Sequence, residues 1–378
     1  MFPEELSDLY NTIATGHKQY ERDLTISEVR ELFKVHNPTI TRAKHEVVSD
    51  MLTDIHKLPA IGKDVAKDVL QKIWQQEIGR NIADMGLAIM EGSPEKIADV
   101  KRLVEKSEEG FVPDDDVEPV TTDLDTLLEF TKNEDCWHFN IPSLSKVVRG
   151  GKAGEFMITF ARPEIGKTAF YVSLVASPNG FCCQGADVHI ITNEEPARRT
   201  MLRAVSAYTG YDEHNIFVHK KQAKEKFAEI AANITMIDNV DASIEWLDKY
   251  CANKKPHIIV VDQLDKLNVM GSFARTDEKL REIYTKFREV CKRRDVFGIG
   301  VSQASADAEA RTNVTYAMME NSKTGKAAEA DLIIGIGKSD VTDNNDSRRY
   351  LTISKNKLTG FHGNIVCNLN TDLSRYTA

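Results

Sequence analysis

The sequence has few cysteines, and none of them is spaced as in a metal site. The six cysteines lie at positions 136, 182, 183, 251, 291 and 367 without a C-x-x-C pair, and the ten histidines show no metal-ligand spacing. These spacings exclude the usual zinc modules. They predict a cytoplasmic protein with reduced thiols in its core and no structural zinc.

Long apolar runs and an excess of basic residues are missing as well. No run approaches the roughly 18 apolar residues of a membrane-spanning helix, and the acidic N-terminal segment lacks the apolar core of a secretory signal. We therefore expect no association with a membrane. The 49 Lys and Arg residues are outnumbered by 58 Asp and Glu residues, which gives a net charge of −9. A net negative charge excludes a histone-like protein that covers nucleic acid with a basic surface. A local group of basic residues can still bind nucleic acid.

The 378 residues, of which 41% are hydrophobic and 28% charged, suit a folded chain of two or three domains. The first domain, residues 1–107, is predicted to be helical. Apolar residues recur every three to five positions from 64 to 90 and resume from 97 to 104, after a break at Gly92 and Pro94. This spacing predicts a helical hairpin. Shorter helices are expected near residues 6–13, 27–35 and 42–56.

Residues 108–134 are predicted to connect two domains. Residues 108–119 contain three consecutive aspartates, two prolines and no basic residue, which is typical of a solvated linker. A short amphipathic stretch with Leu124, Leu127 and Leu128 follows. We expect this stretch to belong to the next domain or to dock on a neighbouring subunit.

Residues 135–378 have the pattern of an α/β domain. Short apolar runs alternate with helical stretches, as they do where a mostly parallel sheet is covered by helices. The last two apolar runs, residues 350–354 and 364–369, are predicted to form a hairpin with a long tip. The other strands are expected at residues 156–160, 188–192, 234–237, 258–261, 297–302 and 332–336.

The segment ARPEIGKT, residues 161–168, is the strongest functional signal. It follows a predicted strand and precedes a helical run, as a phosphate-binding loop does, although Ala161 replaces the usual glycine. We expect Lys167 to hold the β- and γ-phosphates of ATP or another NTP, and Thr168 to place its hydroxyl on Mg²⁺. Backbone amides at the start of a helix hold phosphate oxygens. The predicted nucleotide contacts are Arg162, Pro163, Glu164, Ile165, Gly166, Lys167, Thr168 and Ala169.

Polar residues end three other predicted strands. Asp262 follows four apolar residues and is expected to hold the water shell of Mg²⁺. Either Glu194 or Glu195 can polarise the attacking water, and Gln303 can sense the γ-phosphate. The carboxyl ends of parallel strands meet at one edge of a sheet, so the pattern predicts a nucleotide hydrolase.

The order of these motifs resembles that of the DnaB-like replicative helicases, which are hexameric motors with a RecA-like core, and the phage members in particular. The resemblance covers residues 135–375 and extends less specifically over 27–107. It implies a RecA-like NTPase domain over residues 135–378. The segments that carry it are residues 139–155, 161–170, 192–196, 262–265, 302–303, 328–333 and 353–360.

The resemblance also assigns roles to residues. It selects Glu194 over Glu195 as the catalytic carboxylate. It places a basic finger at Lys357, with Lys355 beside it, on a hairpin that reaches the neighbouring subunit's nucleotide. The family usually has arginine there, and lysine lacks its two-pronged geometry. Arg348 and Arg349 are therefore alternative fingers.

Two basic, glycine-containing loops are candidates for lining a DNA channel. Residues 268–276 follow the strand that ends at Asp262, and residues 321–326 precede Asp331. The resemblance places the segment 328–333 directly after the family's second DNA-facing loop. Amides and cations in such loops contact phosphates without recognising bases. The predicted DNA-binding residues are Arg275, Lys323, Gly325 and Lys326.

The resemblance implies a replicative DNA helicase. Its partners would be single-stranded and forked DNA, five further copies of the chain in a homo-hexamer, a separate primase and a helicase loader. It would act in the cytoplasm, or in the host cytoplasm if viral. Two alternatives are a RecA- or RadA-like recombination or repair ATPase, and an assembly protein that binds nucleotide without turnover. Glu194 disfavours the second, since binding alone needs no water-activating carboxylate.

Overall fold

The computed structural model describes residues 4–20, 22, 24–38, 40–57, 63–94, 96–109, 122–124, 136–271, 273–321, 323–343 and 345–377. The chain divides into two compact units, Met1–Val120 and Thr121–Ala378. Most of the predicted linker, including Leu127 and Leu128, lies outside the described residues. No helix in the described part is both long and apolar enough to cross a membrane.

The described part of the first unit is helical, as its apolar spacing predicts. A small core of Leu9, Val29, Phe33, Val48 and Leu52 joins its first three helices. The long fourth helix packs on the fifth as the predicted hairpin. The helices are α1 (Glu4–Tyr20), α2 (Ile26–His36), α3 (Arg42–Lys57), α4 (Lys63–Met90) and α5 (Lys96–Glu109).

The second unit is built on one twisted sheet with the strand order β3-β2-β4-β5-β1-β6-β7-β8-β9. Strands β1 to β6 are parallel, and the last three are antiparallel. The predicted α/β class and the terminal hairpin are confirmed. The strands are β1 (Phe156–Ala161), β2 (Val188–Thr192), β3 (Ile234–Asp238), β4 (Ile258–Asp262), β5 (Phe297–Gln303), β6 (Leu332–Gly337), β7 (Arg348–Asn356), β8 (Gly363–Asn370) and β9 (Arg375–Thr377).

Helices cover both faces of this sheet, and each face has its own apolar core. The central strands are buried on both sides because their residues are almost all apolar. The helices are α6 (Pro142–Ser145), α7 (Lys167–Ala176), α8 (Ala197–Thr209), α9 (Glu213–Val218), α10 (Lys220–Ala231), α11 (Ile244–Lys254), α12 (Thr276–Arg294) and α13 (Lys323–Glu329).

The secondary structure of the described residues differs from the sequence-based prediction in two places. Strand β9 was not predicted, since three residues are too few for a periodic pattern. The predicted loop 321–326 is wrong from Lys323 onward, where α13 begins. Ala327 in this helix and Ala330, just after its end, pack into the core. A segment whose buried residues are small and basic resembles a loop in composition.

Candidate active site

Four polar segments meet at one edge of the sheet. Strands β2, β4, β5 and β1 are adjacent and parallel, so their carboxyl ends lie side by side. Ala161 pairs with Gln303, and Thr192 pairs with Asp262. This register brings the loop after β1, the carboxylates after β2, Asp262 and Gln303 to the same edge, as predicted. Ligands of open α/β sheets bind at such an edge.

The loop after β1 has the backbone shape of a phosphate-binding turn. Glu164 and Gly166 both have positive φ, at 63° and 114°. Glycine is required at 166 because a Cβ atom there would lie 2.7 Å from Leu369 Cδ2 and 2.9 Å from the Tyr376 hydroxyl oxygen. Helix α7 begins at the next residue, Lys167. Its first amides therefore face the turn, as anion binding at a helix N-terminus requires.

Two residues of the antiparallel strands of the same chain donate hydrogen bonds to carbonyls of this turn. The buried Arg349 donates a 2.8 Å hydrogen bond from Nε to the Ile165 carbonyl. The Tyr376 hydroxyl donates to the Gly166 carbonyl at 3.2 Å. Arg349 is therefore engaged beneath its own phosphate loop, so the alternative assignment of Arg349 as a finger is corrected. Arg348 is exposed and binds Asp346 at 2.9 Å.

Lys167 lies in this turn with its side chain largely buried. Its Nζ is 3.4 Å from the Ala161 carbonyl. Burial lowers the pKa of the ammonium, while the charges of Glu194 and Asp262 act in the opposite direction. A desolvated cation in this position interacts strongly with an added anion, because little water screens it.

Asp262 faces the first turn of α7. One carboxylate oxygen accepts from the Tyr171 hydroxyl at 2.9 Å and lies 3.4 Å from Thr168 Oγ1. The other oxygen, Oδ1, is buried and has no hydrogen-bond partner. Burial raises the pKa of Asp262 to about 6, although Tyr171 and Lys167 favour the ionised form.

A hard cation with its own water shell fits this donor set. Mg²⁺ is commonly held by one or two carboxylates together with substrate phosphates and waters, not by a full protein cage. Asp262 Oδ1 and the Thr168 hydroxyl are oxygen donors of that kind. In the described part of the chain, no three His, Cys, Asp or Glu residues form a metal cage.

The two glutamates after β2 have different surroundings. Glu194 accepts a 2.6 Å hydrogen bond from Gln263 Nε2 and lies 3.7 Å from Lys266 Nζ. Its charge also acts on Lys167. Glu195 instead pairs with Arg203 at 3.4 Å. The structure therefore brings Glu194 to the phosphate loop and engages Glu195 with helix α8.

Gln303 and Arg162 lie at the rim of this edge. Gln303 is half-buried, and its carbonyl accepts from the Glu320 amide at 2.9 Å. Arg162 donates to the Ala304 carbonyl at 3.1 Å and lies 3.7 Å from Glu309. Residue 304 directly follows Gln303, so Arg162 joins the phosphate loop to the end of β5.

The two finger candidates occupy different positions. Lys355 belongs to β7, where its ammonium donates to the Ala327 carbonyl and, at 3.0 Å, to that of Ala328. Its placement on the hairpin tip is corrected, because it binds the carboxyl end of α13. Lys357 is exposed in the turn that follows β7.

The four DNA-binding candidates also lie in different surroundings. Arg275 is exposed in the loop before α12, and its guanidinium binds Asp277 at 2.8 and 2.9 Å. Lys323 begins α13, and Gly325 is half-buried within it. Lys326 is 0% exposed and binds Asp265 at 2.9 Å. Its assignment as a DNA contact is corrected, since a fully buried ammonium cannot reach a phosphate.

Two residues near the site were missed by sequence reasoning. Tyr171 lies four residues after Lys167, and this spacing on a helix places both side chains on one face. Gln263 directly follows Asp262 but turns toward Glu194. The helical spacing predicts the position of Tyr171, whereas no local pattern predicts the contact of Gln263.

The model of the DnaB-like helicase C-terminal domain family matches residues 138–378. The chain belongs to this family. It is a replicative helicase, an ATP-dependent enzyme that unwinds DNA. The matched region contains the phosphate loop, Glu194, Asp262 and Gln303, so the family match and the converging strand ends concern the same part of the helicase.

Two solved structures share the fold of the helicase. The first, described as an ATPase domain, is 19% identical, covers 68% of this chain and 99% of its own, and has a TM-score of 0.57. A DnaB-like replicative helicase described with its interactions with primase is 16% identical. That alignment covers 100% of this chain and 93% of the other, with a TM-score of 0.61. No curated protein matches the sequence of the helicase.

Proposed function

We propose that the helicase works as a ring of six identical subunits that hydrolyses NTP at the subunit interfaces and pulls single-stranded DNA through its centre. The position of Lys357 carries this proposal. Its amide donates to the Asp331 carbonyl at 2.8 Å, and the Asp331 amide donates to Phe156 at the amino end of β1. The phosphate loop lies beyond the opposite end of the same strand.

The length of β1 limits which nucleotide Lys357 can contact. Strand β1 has six residues, which span about 20 Å at 3.3 Å per residue. A lysine side chain does not cross that length, so Lys357 cannot contact the nucleotide on its own chain's loop. A ring joins unlike surfaces of successive subunits, and the face with Lys357 can then meet the neighbour's phosphate loop.

In this proposal the chain's own residues divide the chemistry. Lys167 and the amides of residues 162–169 bind the phosphates of ATP or another NTP. Asp262 and Thr168 would hold Mg²⁺, which would neutralise charge on the phosphates. Glu194 orients and deprotonates the attacking water, and Gln303 responds to the γ-phosphate. The finger Lys357 stabilises charge that develops in the neighbour's transition state.

DNA would be held through its backbone by the exposed loop with Arg275 and by the start of α13 at Lys323 and Gly325. Backbone binding is weakly dependent on sequence and strongly dependent on salt. Forked DNA, a separate primase and a loader complete the proposed partners, and one of the similar structures was described with its interactions with primase. The motif resemblance supports a bacteriophage source and action in the host cytoplasm.

Replacing Asp262 by asparagine should abolish Mg²⁺-dependent hydrolysis and stabilise the protein without ligands. The pKa of Asp262 is about 6 in the folded chain and 3.8 when unperturbed. The folded state therefore binds more protons between these values, and stability falls as the pH rises through that window. Above pH 6 the ionised group costs roughly 3 kcal/mol, of which the variant should regain about 1–3 kcal/mol.

Thermal unfolding at pH 5 and pH 8, without nucleotide or metal, measures this effect. The stabilisation should be larger at pH 8 than at pH 5. Added Mg²⁺ and nucleotide should stabilise the wild type at pH 8 more than the variant, which keeps Lys167 and the loop amides but lacks the carboxylate for Mg²⁺. A variant that is less stable than the wild type at pH 8, or that still hydrolyses ATP with Mg²⁺, would contradict the assignment.

The shared site predicts recovery of activity when two inactive variants are mixed. Lys357→Ala subunits keep the phosphate loop, and Lys167→Ala subunits keep the finger. Each variant alone should assemble into a ring but hydrolyse ATP slowly. In random mixed rings, up to about a quarter of the head-to-tail interfaces combine an intact loop with an intact finger. ATP hydrolysis should recover toward that fraction.

The matched control mixes Lys167→Ala subunits with the double variant Lys167→Ala/Lys357→Ala, which forms no intact interface. This control should show no recovery. Native mass spectrometry verifies that mixed rings form. Full activity of Lys357→Ala alone would show that Lys357 is not the finger. The exposed Arg348 would then be the remaining candidate.

A further inference from the structure

A buried lysine links the catalytic edge of the sheet to α13. Lys326 is 0% exposed, and its ammonium lies 2.9 Å from the Asp265 carboxylate. It also lies 3.2 Å from Ser302 Oγ and donates to the Glu320 carbonyl at 2.8 Å. A charge without water is costly unless it is paired and fully hydrogen-bonded, and these three oxygens satisfy it.

Asp265 is itself held by two hydroxyl groups. Tyr284 donates to one carboxylate oxygen at 2.7 Å, and Ser302 donates to the other at 2.8 Å. The ring of Tyr284 lies 5.4 Å from the Lys326 ammonium. Lys326, Asp265, Ser302 and Tyr284 form one connected polar cluster, here called the Lys326 cluster, inside an otherwise apolar core.

Two members of the Lys326 cluster are direct chain neighbours of groups in the active site. Asp265 precedes Lys266, whose ammonium lies 3.7 Å from Glu194. Ser302 precedes Gln303, whose carbonyl accepts from the Glu320 amide. Glu320 therefore bonds to Gln303 through its amide and to Lys326 through its carbonyl.

The same cluster adjoins both proposed DNA-binding segments. Lys326 is on α13, three residues after Lys323. The turn with Asp265 leads into the loop 268–275, which contains Arg275. The Lys326 cluster therefore connects the segments that carry Lys266 and Gln303 to the segments that carry Lys323 and Arg275.

We infer that Lys326 is a positioning residue, which couples the nucleotide state of the active site to the DNA-binding segments through Asp265 and Ser302. The inference rests on the proposed function. Lys326 contacts neither DNA nor nucleotide. Its three oxygen partners come from three different segments, so a displacement of one segment alone costs Lys326 a hydrogen bond. Hydrogen-bond and salt-bridge networks of this kind can carry energetic coupling between two sites.

The test measures the coupling itself, using the full chain. The affinity for a fluorescent oligo(dT) is measured by anisotropy with ADP and with a non-hydrolysable ATP analogue, both with Mg²⁺. The ratio of the two dissociation constants is the coupling factor, which typically lies between about 5 and 150 in coupled systems. The wild type should show a factor of about 10 or more, and Lys326→Met a factor below about 2.

Arg288→Met is the matched control. Arg288 is another largely buried cation, which binds Asp331 at 3.1 Å near the amino end of β1, away from the nucleotide edge. Both variants should unfold at lower temperature, because each leaves a buried carboxylate without its cation. Only Lys326→Met should lose coupling. A purely structural role for Lys326 predicts instead that both variants behave alike.

A double variant keeps the test decisive if Lys326→Met does not fold. Lys326→Met/Asp265→Leu leaves neither charge unpaired, and such replacements of buried pairs are often neutral for stability. It should also lack coupling. A coupling factor equal to that of the wild type in either folded variant, or an equal loss in Arg288→Met, overturns the inference.

Failure of the proposed function gives a different result. If the wild type itself binds oligo(dT) equally with ADP and with the ATP analogue, or does not bind it, the motor proposal fails and the inference falls with it. If the wild type is coupled and the Lys326 variants are coupled equally, the motor proposal stands and the inference alone is wrong.

Discussion

Lys167→Ala is expected to hydrolyse ATP at least a hundredfold to a thousandfold more slowly than the wild type, since loss of one preorganised contact costs about 3–4 kcal/mol of transition-state stabilisation. Lys167 is only 8% exposed and lies at the start of α7, where the first amides of the helix are expected to bind the same phosphates. The charges of Arg162 and Lys266 also act on Lys167, but Arg162 donates to the Ala304 carbonyl and Lys266 is paired with Glu194. No nearby charge can therefore replace Lys167.

Steady-state phosphate release, with and without oligo(dT), measures this loss. Lys221→Ala is the matched control, because the Lys221 side chain is 87% exposed and distant in sequence from every candidate site residue. The folded state of Lys167→Ala is checked by thermal unfolding. Burial lowers the pKa of Lys167, so the charged lysine does not stabilise the free protein, and the variant should be at least as stable as the wild type. Near-normal hydrolysis would exclude residues 161–168 as the phosphate loop.

Glu194→Gln and Glu195→Gln should differ strongly although they are adjacent in sequence. Glu194→Gln should bind ATP normally and hydrolyse it about a hundredfold to ten-thousandfold more slowly, because the amide cannot take a proton from the water. Glu195 pairs with Arg203 on α8, away from Lys167. Its replacement should change the rate by less than about threefold, as expected for a partly exposed ion pair.

Filter binding of labelled ATP separates binding from turnover in this pair. Glu194→Gln should retain ATP in a stable complex with Mg²⁺, and Glu195→Gln should convert it to ADP. The reverse outcome, with inactive Glu195→Gln and active Glu194→Gln, would assign the catalytic carboxylate to the next residue.

The strands and the site edge could be predicted from the sequence, since both depend on local patterns. Four consecutive apolar residues before Asp262 indicate a buried parallel strand, and parallel strands place their ends together. The turn at Gly166 follows in the same way from the residues that surround it. These features need only a few neighbouring residues to be recognised.

Contacts between distant segments could not be predicted. Arg349 binds the carbonyl of Ile165, 184 residues earlier, so its sequence context gave no reason to exclude it as a finger. Lys326 lies in a basic segment with glycine, which favours an exposed loop. Its burial depends on Asp265, 61 residues away. In both cases a charged residue is buried because a distant partner compensates the cost of desolvation.

The position of the finger could be predicted from the sequence only in part. The two apolar runs after residue 350 predicted a hairpin with a basic tip. Which edge of the sheet that tip reaches depends on the reversal of direction between β6 and β7. The antiparallel pairing places Arg349 at the phosphate loop and Lys357 at the opposite edge, and this difference supports the interface site.

Unwinding of forked DNA by the full chain tests the central claim most directly. A fork with a fluorophore and quencher on its two strands, and with free single-stranded tails around which a ring can assemble, reports strand separation. The wild type should separate the strands only with both ATP and Mg²⁺, and Glu194→Gln should bind the fork without separating it. Hydrolysis of ATP by the wild type without strand separation, on forks that offer either tail, would contradict a ring motor driven from this site.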